Sequence, residues 1–203
     1  MVGRASRLMA FMLAAAVAPL AFAEEAPDAM VKRVTQEVVD ITKSDPKVQA
    51  GDQGRIREVI ETKLLPNFDF ERMTMLAMGR NWRNATPEQQ KQLVDQFRSL
   101  LVRTYSGALN QYRDQTFDFK PLRTDPAATD VIVKTEVRRQ GQANVPLDYG
   151  MVKKDGAWKV YDVIVGGVSL VTNYRDDFAS QIQSGGVDGL IKTLVAKNAS
   201  AGK

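Results

Sequence analysis

The stretch WKVYDVIVGGVSLVTNYRDDF, Trp158 to Phe178, decides the fold. It begins as a β-strand, breaks at Gly166-Gly167 and continues as a helix. Period-two alternation puts Trp158 and Val160 on one face of the strand and Tyr161, Val163 and Val165 on the other. A strand with one wet face alternates apolar with polar residues. This one is apolar on both, so both faces are expected to be covered. Two readings fit: a central strand between two helical layers, or a strand with one face on an apolar cavity. The glycine pair permits positive φ, so a sharp break there can shape the cavity wall, and Ser169 is placed to cap the next helix.

Three more strand-like segments lie upstream: TFDFKPL from Thr116, TDVIVKTEVRRQ from Thr129 and NVPLDYGMVKK from Asn144. Val131, Val133 and Val137 share one face of the second, and Val145, Leu147, Tyr149 and Met151 one face of the third. Asp155-Gly156 is a hairpin-turn pair. Short links predict an antiparallel meander.

Before Asp114 the period is helical. In DAMVKRVTQEVVDITKSD, Val31, Val34, Val38 and Ile41 form a stripe. Asp28 is the expected N-cap, and Asp45-Pro46 the stop. A second stripe holds Ile56, Val59, Ile60 and Leu64. A short helix from Asp69 to Gly79 concentrates Met73, Met75 and Met78 beside Leu76. That cluster is either ordinary core or an adaptable wall. Residues i and i+2 point apart, so Met73 and Met75 face different surroundings. In ATPEQQKQLVDQFRSLLVRTYSGALNQY, Thr86, Pro87 and Gln89 form a capping box with proline at the first position. Leu93, Phe97, Leu101, Tyr105 and Tyr112 line one face. Helices also follow the strands, with Gly185-Gly186 as a break.

The order is helices, strands, helices. It predicts an α+β fold with a curved antiparallel sheet of about four strands and helices packed on it. Residues 1–23 read as a cleaved leader: Arg4 and Arg7 precede an apolar run ending in Ala21-Phe22-Ala23. Residues 24–197 are expected to form one domain, mostly helical over 24–113, sheet over 114–168 and helical over 169–197. A disordered tail is expected over 198–203.

Composition narrows the chemistry. Two of the 28 basic residues lie in the leader, so 26 face 24 acidic ones, a net charge of +2. That is no nucleic-acid footprint. The chain has no Cys, hence no disulfide or thiolate, and no His, hence no imidazole base or ligand. Gly167-Val168-Ser169-Leu170-Val171 lacks the second glycine of a nucleophile elbow, and no His is available to activate Ser169. Asp162 sits mid-strand as a structural, hydrogen-bonded carboxylate. No metal motif, catalytic dyad or cofactor site is visible.

Val160-Tyr161-Asp162-Val163, Gly167-Val168-Ser169-Leu170-Val171, Asn173-Tyr174-Arg175 and Phe178, together with the segment from Phe68 to Tyr105, resemble the MlaC, or toluene-tolerance, family. The likeness spans the mature chain, with the doubled glycine at Gly166 as the one departure. It implies a periplasmic phospholipid carrier in which a curved sheet, similar to that of nuclear transport factor 2, and a helical subdomain enclose two acyl chains. The headgroup then projects into solvent. It also implies two partners: an outer-membrane lipoprotein-porin complex, and the MCE-domain protein of an inner-membrane ABC transporter. A monomer without cofactor is expected. The lining residues expected on the helices are Met73, Leu76, Phe97, Leu101, Tyr105, Val168, Tyr174 and Phe178. Those expected on the sheet are Val133, Leu147, Tyr149, Met151, Val163 and Val165. Arg80 and Arg175 are candidates for the mouth, although a solvated arginine is the plainer reading. The residues alone leave two other functions open: an enzyme using Asp and Tyr, or an interaction module with a solid core.

Overall fold

A computed structural model describes residues 25–107, 115–125, 127–138 and 141–200. The leader and Tyr112 lie outside the described residues. Helix α1 is Pro27–Ser44. Its N-cap is Ala26 rather than Asp28, because Pro27 takes the first helical position, where it forfeits no hydrogen bond. Asp45 is extended before Pro46, ends α1, and accepts the Lys47 and Val48 amides of the four-residue α2, Pro46–Gln49. Helix α3, Gln53–Val59, widens into a π-helical turn, Ile60–Leu64, and a 3-10 turn, Leu65–Asn67. Helix α4, Phe70–Met78, is capped by Asp69 and closed at Gly79. Helix α5, Pro87–Tyr105, carries the full Thr86/Gln89 capping box. Helix α6 is Arg175–Ala199, with a kink at Gly186, where φ is 67°. It continues past 197: Asn198, assigned above to the tail, is helical and donates to the Gln96 carbonyl at 2.9 Å.

Among the described residues the sheet has six strands rather than about four: β1 Thr116–Phe119, β2 Asp130–Val133, β3 Thr135–Arg138, β4 Val145–Lys154, β5 Ala157–Val165 and β6 Val168–Ser169. All pairings are antiparallel, in the order β1-β3-β4-β5-β6, with β2 also on β4. β2 and β3 come from one sequence run. Their step along β4 is unbroken, with Val133 opposite Tyr149 and Glu136 opposite Pro146. The ladder lapses where the buried Thr135 hydroxyl, instead of a backbone amide, donates to the Leu147 carbonyl.

β5 corrects the two-faced reading. Gly150 pairs with Asp162 and Met151 with Val160, so Tyr161 is an extra, bulged residue. A bulge reverses which residues of a strand look inward. Trp158 and Val160 before it, and Val163 and Val165 after it, therefore lie on one face, opposite Lys153, Met151, Tyr149 and Leu147. Tyr161 turns to the other face and lies across Gly150, where a Cβ would stand 3.1 Å from its ring. Its hydroxyl donates to Asp130 at 2.8 Å, and the Arg72 guanidinium lies 4.2 Å from its ring centre.

Both two-residue turns of β5 need positive φ at both positions: Asp155 at 52° and Gly156 at 78°, then Gly166 at 59° and Gly167 at 85°. The second turn accounts for the doubled glycine.

Among the described residues three clusters form the core. One joins α4, α5 and α6 around Phe97, Phe178 and Leu190. One places α1 on the sheet through Met30, Val31, Val34, Val131, Val133, Met151 and Val160. A smaller one gathers Val48, Ile56, Val59 and Ile60.

Candidate functional site

An apolar cavity of about 290 Å³ lies where the three clusters meet. The sheet contributes Leu147, Tyr149, Val163 and Val165. α1 contributes Thr35, Val38 and Val39; the π and 3-10 turns contribute Ile60, Leu64 and Leu65. Phe68, Phe70, Met73, Leu101, Val102, Tyr105, Ser106 and Leu170 complete it. Tyr105 and Val165 are exposed at the rim. Burial, then the neighbouring Tyr174, push the Tyr105 phenol above its ordinary range.

The break that opens the sequence reading has a definite use. The Gly166-Gly167 turn folds the chain back along β5, so the Leu170 amide donates to the Val163 carbonyl at 2.8 Å. Leu170 is thereby laid beside Val163 on the cavity. Asp162 locks that turn from the opposite face. One oxygen accepts the Ser169 hydroxyl at 2.6 Å and the other the Val171 amide at 3.2 Å. Ser169 in turn accepts the Thr172 amide at 3.0 Å. The serine and aspartate are thus committed to each other and lie off the cavity. Asp148 lies off it too, and accepts the Thr135 amide at 3.3 Å. Among the described residues no group of acidic side chains is arranged to hold a metal.

Seven of the fourteen expected lining residues reach the cavity: Met73, Leu101, Tyr105, Leu147, Tyr149, Val163 and Val165. Seven do not. Phe97, Tyr174 and Phe178 pack edge-on or tilted against one another, with ring centres 5.1 to 5.9 Å apart, and fill the helical core with Leu76 beside them. Val133, opposite Tyr149 on β2, and Met151, two residues further along β4, share the cavity's face of the sheet but are buried beneath α1. Val168 is 61% exposed on the outer arm of the glycine hairpin. Arg175 donates to the Leu76 carbonyl at 3.1 and 3.2 Å, tying α6 to α4, and Arg80 is exposed and lines no described pocket. Of the residues not foreseen, Val38, Ile60 and Leu64 stand in the apolar stripes already read from the sequence. Thr35 and Ser106 had no such signal. Met73 is 2% and Met75 39% exposed, so the two face different surroundings as expected.

The lining is almost wholly apolar and the hollow opens at Tyr105 and Val165, so it is a cleft with a mouth rather than a sealed packing flaw. An α+β fold that keeps an apolar hollow between sheet and helices is of the class that encloses an apolar ligand. The comparisons agree. The MlaC protein family matches residues 32–196, and the chain belongs to that family. A phospholipid-binding protein from Ralstonia solanacearum, solved in complex with a phospholipid, is 41% identical and superposes with a TM-score of 0.80 over 89% of this chain and 100% of that one. Toluene tolerance protein ttg2D of Pseudomonas putida is 28% identical over 90% of this chain and 85% of its own length. The intermembrane phospholipid transport system binding protein MlaC of Haemophilus influenzae is 24% identical, over 92% and 89%.

Proposed function

We propose that this protein is a soluble periplasmic carrier that encloses the acyl chains of a phospholipid and moves it between the outer and inner membranes. The observation that carries the reading is the cavity, apolar and walled by sheet and helices together. Two sixteen-carbon chains hold about 30 methylenes, worth on the order of 24 kcal/mol against water at ~0.8 each. A carrier must hide nearly all of them. Transfer from bilayer to cavity exchanges one apolar medium for another, so the cycle needs no bond-making, and a chain without His or Cys can perform it. The leader at residues 1–23, export to the periplasm and action as one domain and one copy belong to this reading. So do its docking partners, a lipoprotein-porin complex at the outer membrane and an MCE-domain protein of an ABC transporter at the inner one. Asp162 and Ser169 bond each other rather than line the cavity, which favours a carrier over an enzyme.

The test is direct. Mature protein purified without detergent, extracted with organic solvent and weighed by mass spectrometry should yield about one phospholipid per chain. A clean extract, with no lipid taken up afterwards from vesicles, would refute binding. Uptake without delivery to acceptor vesicles would refute transport.

A further inference from the structure

A second pocket, of about 800 Å³, adjoins the apolar cavity and shares Leu65, Val102 and Ser106 with it. Its walls are α3 with the turns after it, α5, and the end of α6. Arg57 and Glu61 stand one turn apart on the first wall, Arg98 and Arg103 stand on the second, and Asn198 closes the pocket from the third. The apolar cavity has no charged side chain in its lining, whereas this pocket is lined mostly by polar ones.

Several of these polar side chains are already bonded. Asp95 accepts from Lys91 at 2.9 Å, and Gln53 donates to the Gly51 carbonyl at 3.2 Å. Ser99 and Ser106 donate to the Asp95 and Arg103 carbonyls at 2.9 and 3.2 Å. What remains is unbalanced. Among the described residues no carboxylate pairs with Arg57, Arg98 or Arg103, and Glu61 is the one lining carboxylate left to offset them. Three guanidinium charges less one carboxylate leave an excess of two. The Arg103 Nη1 donor is buried with no partner, and so is the Asn198 Oδ1 acceptor. The Asn198 amide nitrogen is held by the Gln96 carbonyl and side chain, each at 2.9 Å, which fixes the oxygen in place. Asn198 thus meets α5 at Gln96. Arg103 follows seven residues on, about 10 Å along the axis, and helical side chains lean back toward the N-terminus. The open donor and the open acceptor are therefore within reach of one small molecule. Buried polar groups left open cost stability, so the pair calls for a ligand that supplies both counterparts.

We propose that this pocket binds a small soluble oxyanion that also carries a hydroxyl hydrogen, such as a hydroxylated polycarboxylate or hydrogen phosphate. Arg57 and Arg103 take its oxygens, since a guanidinium matches a carboxylate or phosphate in a two-point fork. Arg98 adds charge, and Asn198 accepts the hydroxyl. The excess of positive charge selects an anion; the fixed acceptor selects one with a donor, because an anion without one leaves Asn198 unbonded. The bound molecule ties α3, α5 and the end of α6 together beside the apolar cavity. It is a site separate from that cavity, and it stands whether or not the cavity carries a lipid.

The test is calorimetric titration of the mature chain with two matched pairs of anions at constant ionic strength. Citrate and tricarballylate carry the same three carboxylates, and citrate alone has a hydroxyl. Phosphate keeps an O–H at neutral pH, and sulfate has none. Wild type should bind citrate and phosphate about tenfold tighter than their partners, the scale of one hydrogen bond to a charged ligand. Citrate well above phosphate assigns a polycarboxylate and the reverse a phosphate; either supports the site. R57Q/R103Q should lose all four anions. N198L should keep them and level each pair. No heat from any anion would mean that the pocket holds water only, and overturns the proposal. So would equal affinities within both pairs, or binding that survives R57Q/R103Q and so lies elsewhere. If the double variant misfolds, R57Q alone gives the charge test, because Arg57 has no ion-pair partner to lose among the described residues. Lipid per chain, counted by mass spectrometry, should be the same in R57Q/R103Q as in wild type. A loss of lipid there would mean that these arginines serve the lipid, and overturns the separate site.

Discussion

At the residue scale, Asp162 and Leu147 define opposite requirements. Asp162 is buried and spends both oxygens on the Ser169–Val171 turn, so Asp162→Ala should strand a hydroxyl and an amide. Hydrogen bonds to a charged group are worth about 1.5–3 kcal/mol each, so the loss should be about 2 kcal/mol or more. In a domain of this size that lowers Tm by roughly 4–8 °C, measurable by thermal denaturation. An unchanged Tm would remove Asp162 as the lock. Leu147 is on the cavity wall, so Leu147→Trp should fill the hollow. Lipid per chain should fall while the fold and Tm persist. A loss of Tm without loss of lipid would place Leu147 in solid core. Asp162 was legible in the sequence as a structural carboxylate, because a charge set mid-strand among apolar residues must be bonded. Its partners were not legible, since the hairpin that returns them is a tertiary event.

At the scale of elements, turns and edges carry the predictions. Gly167 has φ of 85° and open space where a Cβ would go, so its constraint is backbone alone. Gly167→Ala should cost about 1 kcal/mol through the left-handed penalty and slacken Leu170, read as a lower Tm. On the β1–β3 edge, Lys120 first and Arg138 next hold the Asp118 carboxylate at about 2. Its folded value lies below the ordinary 3.8. Its contribution is therefore full above pH about 4 and is lost as pH falls toward about 2. Asp118→Asn should flatten that part of the Tm–pH curve, and the difference should shrink in high salt, because the pair is partly exposed. The α5 cap was readable because it is local: Thr86, Pro87 and Gln89 complete it within four residues. The bulge at Tyr161 was not. It arises from a one-residue mismatch with β4, and no pattern within β5 records its partner. The π turn at Ile60–Leu64 is likewise silent in the sequence, yet it sets two side chains, Ile60 and Leu64, on the cavity.

At the scale of the molecule, the cavity is a seam between three separately packed clusters. Its 290 Å³ is about twice the engineered void that accepts a benzene. Space for roughly a dozen carbons is less than two acyl chains require, so loading must part the walls. The strands are held to one another by backbone hydrogen bonds, whereas α1 meets the sheet through side chains, and α1 is expected to move. Ligand that binds the folded chain alone raises stability by RT ln(1 + [L]/Kd), about 2.7 kcal/mol at a hundredfold excess over Kd. Lipid-loaded protein should therefore melt roughly 5–10 °C above stripped protein by calorimetry. Equal melting temperatures would mean that nothing bound in the cavity.

The amino-acid sequence by itself determined the order of helices and strands, the caps at Asp69 and Thr86, the glycine turns and the absence of imidazole and thiol chemistry. These depend on neighbours within a few residues. It also grouped Leu147, Tyr149 and Met151 on one face of β4, but left open which face of the sheet looks inward. Only the tertiary structure decided which of them meet empty space. Phe97 and Leu101 are one turn apart on the same stripe of α5, yet Phe97 is sealed by Tyr174 and Phe178 while Leu101 borders the cavity. Apolar periodicity reports that a side chain leaves water. Whether it then meets another side chain or a hollow depends on elements far away in the chain, and no local pattern encodes that distance.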